Sequence, residues 1–258
     1  DVLGKASLTP EEVARIIRDA ATIENLQPRL HLTGGEAFID AEPLFDLFAL
    51  ARDCGFVDLT TTTNAYWART LSRAQSTCLR LRQAGMTSME ISWDYWHMPF
   101  IPGEAVSNCL DACWEAGIES NLRLLSTRAH MAAEALAALR PDSVEKASRI
   151  SCGPVFPTGR AATDLDPAEL YTQGALDDTC HSFLNLTVNA LGNVYPCCAG
   201  IDQTNNYLFG NIRERSIYQI AAAMNRSPML RTIVFGGIGS LLPIIRERGI
   251  DPGERLLR

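Results

Sequence analysis

At 258 residues the chain can bury one large core, alone or with a small appendage. A hydrophobic share of 47% and a charged share of 21% are those of an ordinary globular protein. The formal net charge of -7 offers no basic field for gripping a phosphate backbone, which argues against nucleic acid as partner. Every apolar run falls short of a bilayer's thickness, so the expectation is a soluble, cytoplasmic protein without membrane contact. The opening "DVLGKASLTPEEV" carries no initiator Met and no signal-like segment, so an upstream stretch is expected and location is not read from this start.

In chain order, "LTPEEVARIIRDAA" sets Thr9 as N-cap, Pro10 at the first helical position and Glu12 three residues past the cap. "RLHLT" reads as a strand, and "EPLFDLFALARDCG" as a helix closed by Gly55. "FVDLTTTTN" is a strand, followed by a helix from Tyr66 to Gly85. "SMEISWD" is a strand, followed by a helix from Gly103 to Gly117. "IESNLRLL" is a strand, "RAHMAAEALAAL" a helix, and "SVEKASRISCGPVF" holds another strand. Such alternation means parallel strands with helical crossovers. No glycine-rich dinucleotide fingerprint follows a strand, which favours a partial barrel over a nucleotide-binding doubly wound sheet.

After about residue 160 the pattern changes. "DPAELYTQGAL" reads as a short helix, "FLNLTVNALGNVYP" as a β-hairpin turning at Ala190–Asn193, and "RSIYQIAAAMN" as a helix. The expected division is therefore 1–162 and 163–258.

In a parallel sheet the chemistry gathers at the carboxyl ends of the strands. Here those ends carry Thr33–Glu36, Thr62–Asn64, Ser92–His97 and Arg123. Glycines directly after a strand let a ligand approach the backbone, and Glu36 would add negative charge beside a bound ammonium. The same residues also suit an ordinary strand-to-helix turn. Asp94 and His97, at the end of the third strand, are placed to meet a substrate or to hydrogen-bond each other within a loop.

The eight cysteines divide into two groups. Cys54, Cys78, Cys109 and Cys113 fall on helices among alanines and leucines, as buried thiols do. Cys180-x16-Cys197, with Cys198 adjacent, brings thiols to the ends of the hairpin. An iron–sulfur cluster, a zinc ion or a Cys180–Cys197 disulfide are the readings of that group. Cys152, in "ISCGPV", is open to being a core thiol, a cluster ligand or a hydrogen-atom donor.

Taken together, these motifs resemble a radical SAM enzyme with a C-terminal SPASM or Twitch-type extension, most closely the members that modify ribosomal peptides. "TGGEAF" stands where that family has its GGE motif. "TTTN" looks like its Thr-Asn motif and "EISWD" like its Ser-x-Asp. "CHSFLNLTVNALGNVYPCC", with Gly192-x4-Cys197, is similar to the opening of the auxiliary cluster segment. "YLFGNIRERSIYQI" is similar to the segment that follows it, and "VFPTGRA" to one that closes the barrel.

The resemblance implies an α/β fold: a partial (β/α)6 TIM-type barrel with a small C-terminal cysteine-rich β-hairpin/helix extension. The family's Cys-x3-Cys-x2-Cys loop, which holds the 4Fe–4S cluster, is expected upstream of Asp1 together with the first strand. It implies S-adenosylmethionine as cofactor, cleaved at that cluster to a 5′-deoxyadenosyl radical that takes hydrogen from a peptide, with epimerisation or crosslinking as the outcome. By position, Thr33, Gly34, Gly35 and Glu36 would face the methionine amino group, and Asn64, Ser92 and Arg123 its carboxylate and ribose. Cys180, Cys197 and Cys198 would ligate one auxiliary iron–sulfur cluster, and Asp94, His97 and Cys152 would serve the reaction. Flavodoxin or ferredoxin is the implied electron donor. The same chemistry on a small molecule, or a cluster-deficient scaffold that only binds peptide, is the alternative.

Overall fold

The computed structural model describes residues 6–171, 179–180, 185–198 and 207–250. The chain divides into two compact units, one of Thr9–Pro157 with Ala161–Tyr171, the other of the remaining segments.

The larger unit begins with α1 (Pro10–Ala21), whose capping box forms as expected. The Glu12 amide donates to Thr9 Oγ1 (3.2 Å) and the Thr9 amide to the Glu12 carboxylate (2.9 Å). There follow β1 (Arg29–Leu32), α2 (Glu42–Asp53), β2 (Asp58–Thr63), α3 (Leu71–Ala84), β3 (Ser88–Ser92), α4 (Gly103–Ala116) and β4 (Glu119–Ser126). The short helices α5 (Ala132–Ala137) and α6 (Pro141–Val144) precede β5 (Arg149–Pro154), and α7 spans Ala161–Asp164. Gly85 and Gly117 close α3 and α4 in the left-handed conformation, φ 110° and 68°.

All five strands are parallel and lie in the order β1-β2-β3-β4-β5. Right-handed crossovers between sequential neighbours put every intervening helix on one face. That face is apolar: Leu59, Met89, Ile91, Leu122 and Leu124 are fully or almost fully buried. Between β3 and the α3–α4 pair lies a seam of sulfur. Cys78 Sγ is 3.9 Å from Cys113 Sγ, and Cys109 and Cys113 stand 3.6 and 3.9 Å from Met89 Sδ. The buried-thiol expectation holds for these three; Cys54 is half-buried at the end of α2.

Three helix expectations shift. α3 starts at Leu71, because Ala65 takes a left-handed φ of 61° and Trp67 turns inward to donate to Thr63 Oγ1 (3.0 Å). Thr70 then caps the helix. α5 is only six residues long, since Thr127–His130 are used in a turn and Pro141 opens α6. In place of the helix expected from Asp166 there is a single 3-10 turn over Pro167–Glu169, capped by Asp166 and ended by extended Leu170; the expected helix's residues from 172 on lie outside those described.

In the smaller unit β6 (Thr187–Val188), β7 (Asn193–Tyr195) and β8 (Gly210–Asn211) form an antiparallel sheet. The expected hairpin is present but short. Asn189 Oδ1 accepts from the amides of Leu191 (3.0 Å) and Asn193 (3.1 Å), and Gly192 supplies the positive φ of 81°. α8 (Ile217–Asn225), α9 (Pro228–Gly236) and α10 (Leu242–Glu247) follow, α8 with a Ser216/Gln219 capping box. Among the described residues no single helix is long and apolar enough to cross a membrane.

Candidate cofactor and substrate site

The loops at the carboxyl ends of β1 and β2 are laced together. Gly34 and Gly35 hold φ of 119° and 56°, and a Cβ built on either would meet nothing within 4 Å. Such open, left-handed backbone is what a ligand seated against the main chain needs. Glu36 is not a lone charge above this turn. Its Oε1 accepts from Thr63 Oγ1 (2.7 Å) and the Phe38 amide (3.2 Å), and its Oε2 from the Asn64 amide (2.8 Å). Thr63 Oγ1 in turn accepts from the Ala65 amide and the Trp67 indole, both at 3.0 Å. Phe38 stacks on Trp67 with centroids 4.6 Å apart, and the Tyr66 hydroxyl donates to the Phe38 carbonyl (3.0 Å). Asn64 spends its carboxamide oxygen on the Tyr66 amide (3.0 Å). Thr33 is exposed beside the turn. The aminoacyl end of S-adenosylmethionine fits this cradle in kind: exposed backbone at two glycines, with a carboxylate fixed behind them.

At the end of β3, Asp94 is buried and one of its oxygens organises the loop. It accepts from the amides of Trp96 (3.1 Å) and His97 (3.3 Å) and pairs with His97 Nδ1 (2.8 Å). When Asp94 is ionised it holds the proton on Nδ1, so Nε2 is left as an acceptor on a half-buried ring. Next to this dyad, Tyr95 stacks on His130 at 3.4 Å, with Trp96 set edge-on to both. The sequence carried no signal for that aromatic group, because His130 arrives from the loop after β4.

Strand register sorts the remaining candidates. Ser92 lies beside Arg123, and Arg123 beside Ser151, on the face away from the helices. Arg123 is partly exposed and pairs only loosely with Glu90, Nε to Oε1 3.9 Å. Cys152 aligns with Leu124, so it stands on the helix side of β5, exposed and opposite to Ser92 and Arg123. It is therefore not a core thiol.

Cys180, Cys197 and Cys198 lie in the smaller unit. Cys197 is buried, Cys198 exposed, and the Cys180 amide donates to the Ile233 carbonyl (3.3 Å). Among the described residues no disulfide forms, and no three side chains of metal-ligating type converge. Three thiols in one hairpin segment suit iron–sulfur ligation by donor chemistry, while the described residues do not bring a full ligand set together.

A parallel α/β sheet with its motif residues at the carboxyl ends, followed by a cysteine-bearing hairpin, defines the class to which the comparisons speak. Residues 180–234 match SPASM, an iron–sulfur cluster-binding domain, so Cys180, Cys197 and Cys198 all fall inside it. The chain is also 23% identical, over 194 residues, to YydG, a candidate peptide biosynthesis protein of Bacillus subtilis (strain 168). That match covers 73% of this chain and 59% of the relative's length. Both findings bear out the resemblance to SPASM-containing radical SAM proteins read from the motifs.

Proposed function

We propose that the complete protein is a radical SAM enzyme that modifies a peptide by removing hydrogen from carbon, by epimerisation or crosslinking. The observation that carries this reading is the SPASM match over residues 180–234 in a chain whose larger unit is a parallel α/β sheet. That the relative is named for peptide biosynthesis supports a peptide as substrate. When bound, S-adenosylmethionine with a 4Fe–4S cluster would supply a 5′-deoxyadenosyl radical as the hydrogen-abstracting agent.

This chain's residues then bind and orient. Gly34 and Gly35, with Thr33 and the carboxylate of Glu36 behind them, receive the aminoacyl end. Asn64, Ser92 and Arg123 hold its carboxylate and ribose. Cys180, Cys197 and Cys198 contribute to one auxiliary cluster, and a flavodoxin or ferredoxin delivers electrons. His97 Nε2, its tautomer set by Asp94, accepts a hydrogen bond or a proton from the peptide. Cys152 stands on the helix side of β5, opposite to Ser92 and Arg123, so if the product is an epimer the returning hydrogen atom comes from another donor. The five-stranded sheet is read as part of a partial six-stranded barrel, with 163–258 as the extension.

The test uses full-length protein purified without oxygen. Iron, sulfide and release of 5′-deoxyadenosine with reductant and S-adenosylmethionine are expected. Peptide treated in deuterated solvent then separates the products: solvent deuterium gained marks epimerisation, and loss of two hydrogens marks a crosslink. Protein loaded with both clusters that releases no 5′-deoxyadenosine would overturn the reading.

A further inference from the structure

The sheet face away from the helices is polar where a filled barrel would carry branched apolar side chains. His31, Thr60 and Thr62 occupy it on β1 and β2, and Glu90, Asn121 and Ser151 on β3, β4 and β5. A surface of this kind cannot pack against itself. It holds water or a ligand.

The hydrogen-bonding capacity of the layer shows which ligand. The His31 ring is used at both nitrogens, Nδ1 with Thr60 Oγ1 (2.6 Å) and Nε2 with Thr62 Oγ1 (2.9 Å). Glu90 Oε2 accepts from Asn121 Nδ2 (3.3 Å), and Glu90 Oε1 stands 3.9 Å from Arg123. Two atoms in the same layer, Asn121 Oδ1 and Ser151 Oγ, are buried with no partner. A buried polar atom without a partner is destabilising, so a ligand that reaches both relieves a standing penalty. Asn121 Oδ1 and the Glu90 carboxylate call for an N–H. The Ser151 hydroxyl calls for a carbonyl. Glu90 repels an anion and Arg123 a cation. The group that meets all these demands is neutral and offers N–H and C=O together: a secondary amide.

We infer that Glu90, Asn121 and Ser151 form an anchor for a backbone amide of the substrate peptide, while Arg123, level with Ser92, stays with S-adenosylmethionine. This rests on the reading of the protein as a peptide-modifying enzyme. Within the anchor Glu90 and Asn121 lie two strand residues below Ser92, about 6.6 Å at strand rise, while Ser151 stands level with it. The anchor therefore grips the chain next to the reacting carbon, and Asn121 and Ser151 act as positioning residues.

The probe is N-acetyl-alanyl-valine N′-methylamide, titrated into the full-length protein while the Asn121 side-chain amide is followed by NMR. That resonance is expected to shift and saturate. Asn121→Ala and Ser151→Ala should each weaken binding about tenfold with an unchanged melting temperature. N-methylating the probe's amides should abolish binding. Equal binding by wild type and both folded variants, or by the N-methylated probe, overturns the anchor and leaves a hydrated surface only. The two readings fail separately. Wild type that releases 5′-deoxyadenosine but does not bind the probe through Asn121 loses the anchor alone. Cluster-loaded wild type that binds the probe through Asn121 but releases none loses the radical reading and keeps the amide site.

Discussion

Replacing Glu36 with glutamine keeps the side chain's shape and removes one of its two acceptor oxygens. In the native loop Oε1 serves Thr63 and Phe38, and Oε2 serves the Asn64 amide. A glutamine that keeps the first two bonds points its NH2 at the Asn64 N–H, leaving that donor unpaired at a cost of about 1–3 kcal/mol. The surviving bonds also lose their charge assistance, though Glu36 is only half-buried and water offsets part of the loss. We expect about 2 kcal/mol in all, a fall in melting temperature of about 4–8 °C for a chain of this size. Differential scanning fluorimetry on Glu36→Gln, Thr63→Val and the double variant checks it. Because the two side chains share a hydrogen bond, the double variant should be less destabilised than the sum of the singles by about 1 kcal/mol. If Glu36→Gln melts with the wild type and only S-adenosylmethionine affinity falls, the carboxylate is a ligand contact and the clasp argument is wrong.

Gly35→Ala forces a side chain into φ 56°, with no neighbour within 4 Å. The melting temperature should drop only about 2–4 °C, while S-adenosylmethionine retention in equilibrium dialysis should fall tenfold or more; retained binding would remove the backbone cradle. Asp94→Asn should cost His97 its fixed tautomer, read as a mixed Nδ1/Nε2 pattern in 15N NMR, and lower turnover more than peptide affinity. An unchanged NMR pattern refutes the dyad. Burial of part of its ring pushes the pKa of His31 below the ordinary 6.5, against the raising influence of Glu90 and Asp58. The unfolded chain thus takes up this proton first as pH falls. The stability due to neutral His31 is complete above about 6.5 and is lost as pH drops through that value toward the folded one. Urea titrations at pH 7.5, 6.5 and 5.5 should show a shallower acid loss in His31→Gln than in wild type.

The helix caps and strand cores were legible in the chain because they depend on neighbours in sequence. Thr9 with Glu12, Gly85, Gly117 and the turn at Asn189–Gly192 all stand where local chemistry requires them. What the chain hid depends on residues about 30 positions apart. "TGGE" reads as a charge facing a ligand until Thr63 and Asn64 arrive from the next strand end to use it. "TTTT" reads as one strand, yet its alternate members serve different purposes. Thr61 and Thr63 bond toward the β1 end, and Thr60 and Thr62 hold His31 on the opposite face. Cys152 is equally instructive. Its position at a strand was evident, but which face it takes is set by register with Leu124. The Tyr95–His130 stack joins two loops whose approach follows only from the order of β3 and β4.

The sulfur-lined seam behind β3 has a practical use. The thiol of Cys113 beside it, and then burial, push the pKa of Cys78 upward, so at neutral pH neither a thiolate nor an access route is on offer to an alkylating reagent. Modification of Cys78, Cys109 and Cys113 must therefore wait until α3 and α4 part. Their rate of labelling, followed by peptide mass mapping against the exposed Cys152, is a chemical clock for opening of the helical layer, readable without any added spectroscopic tag.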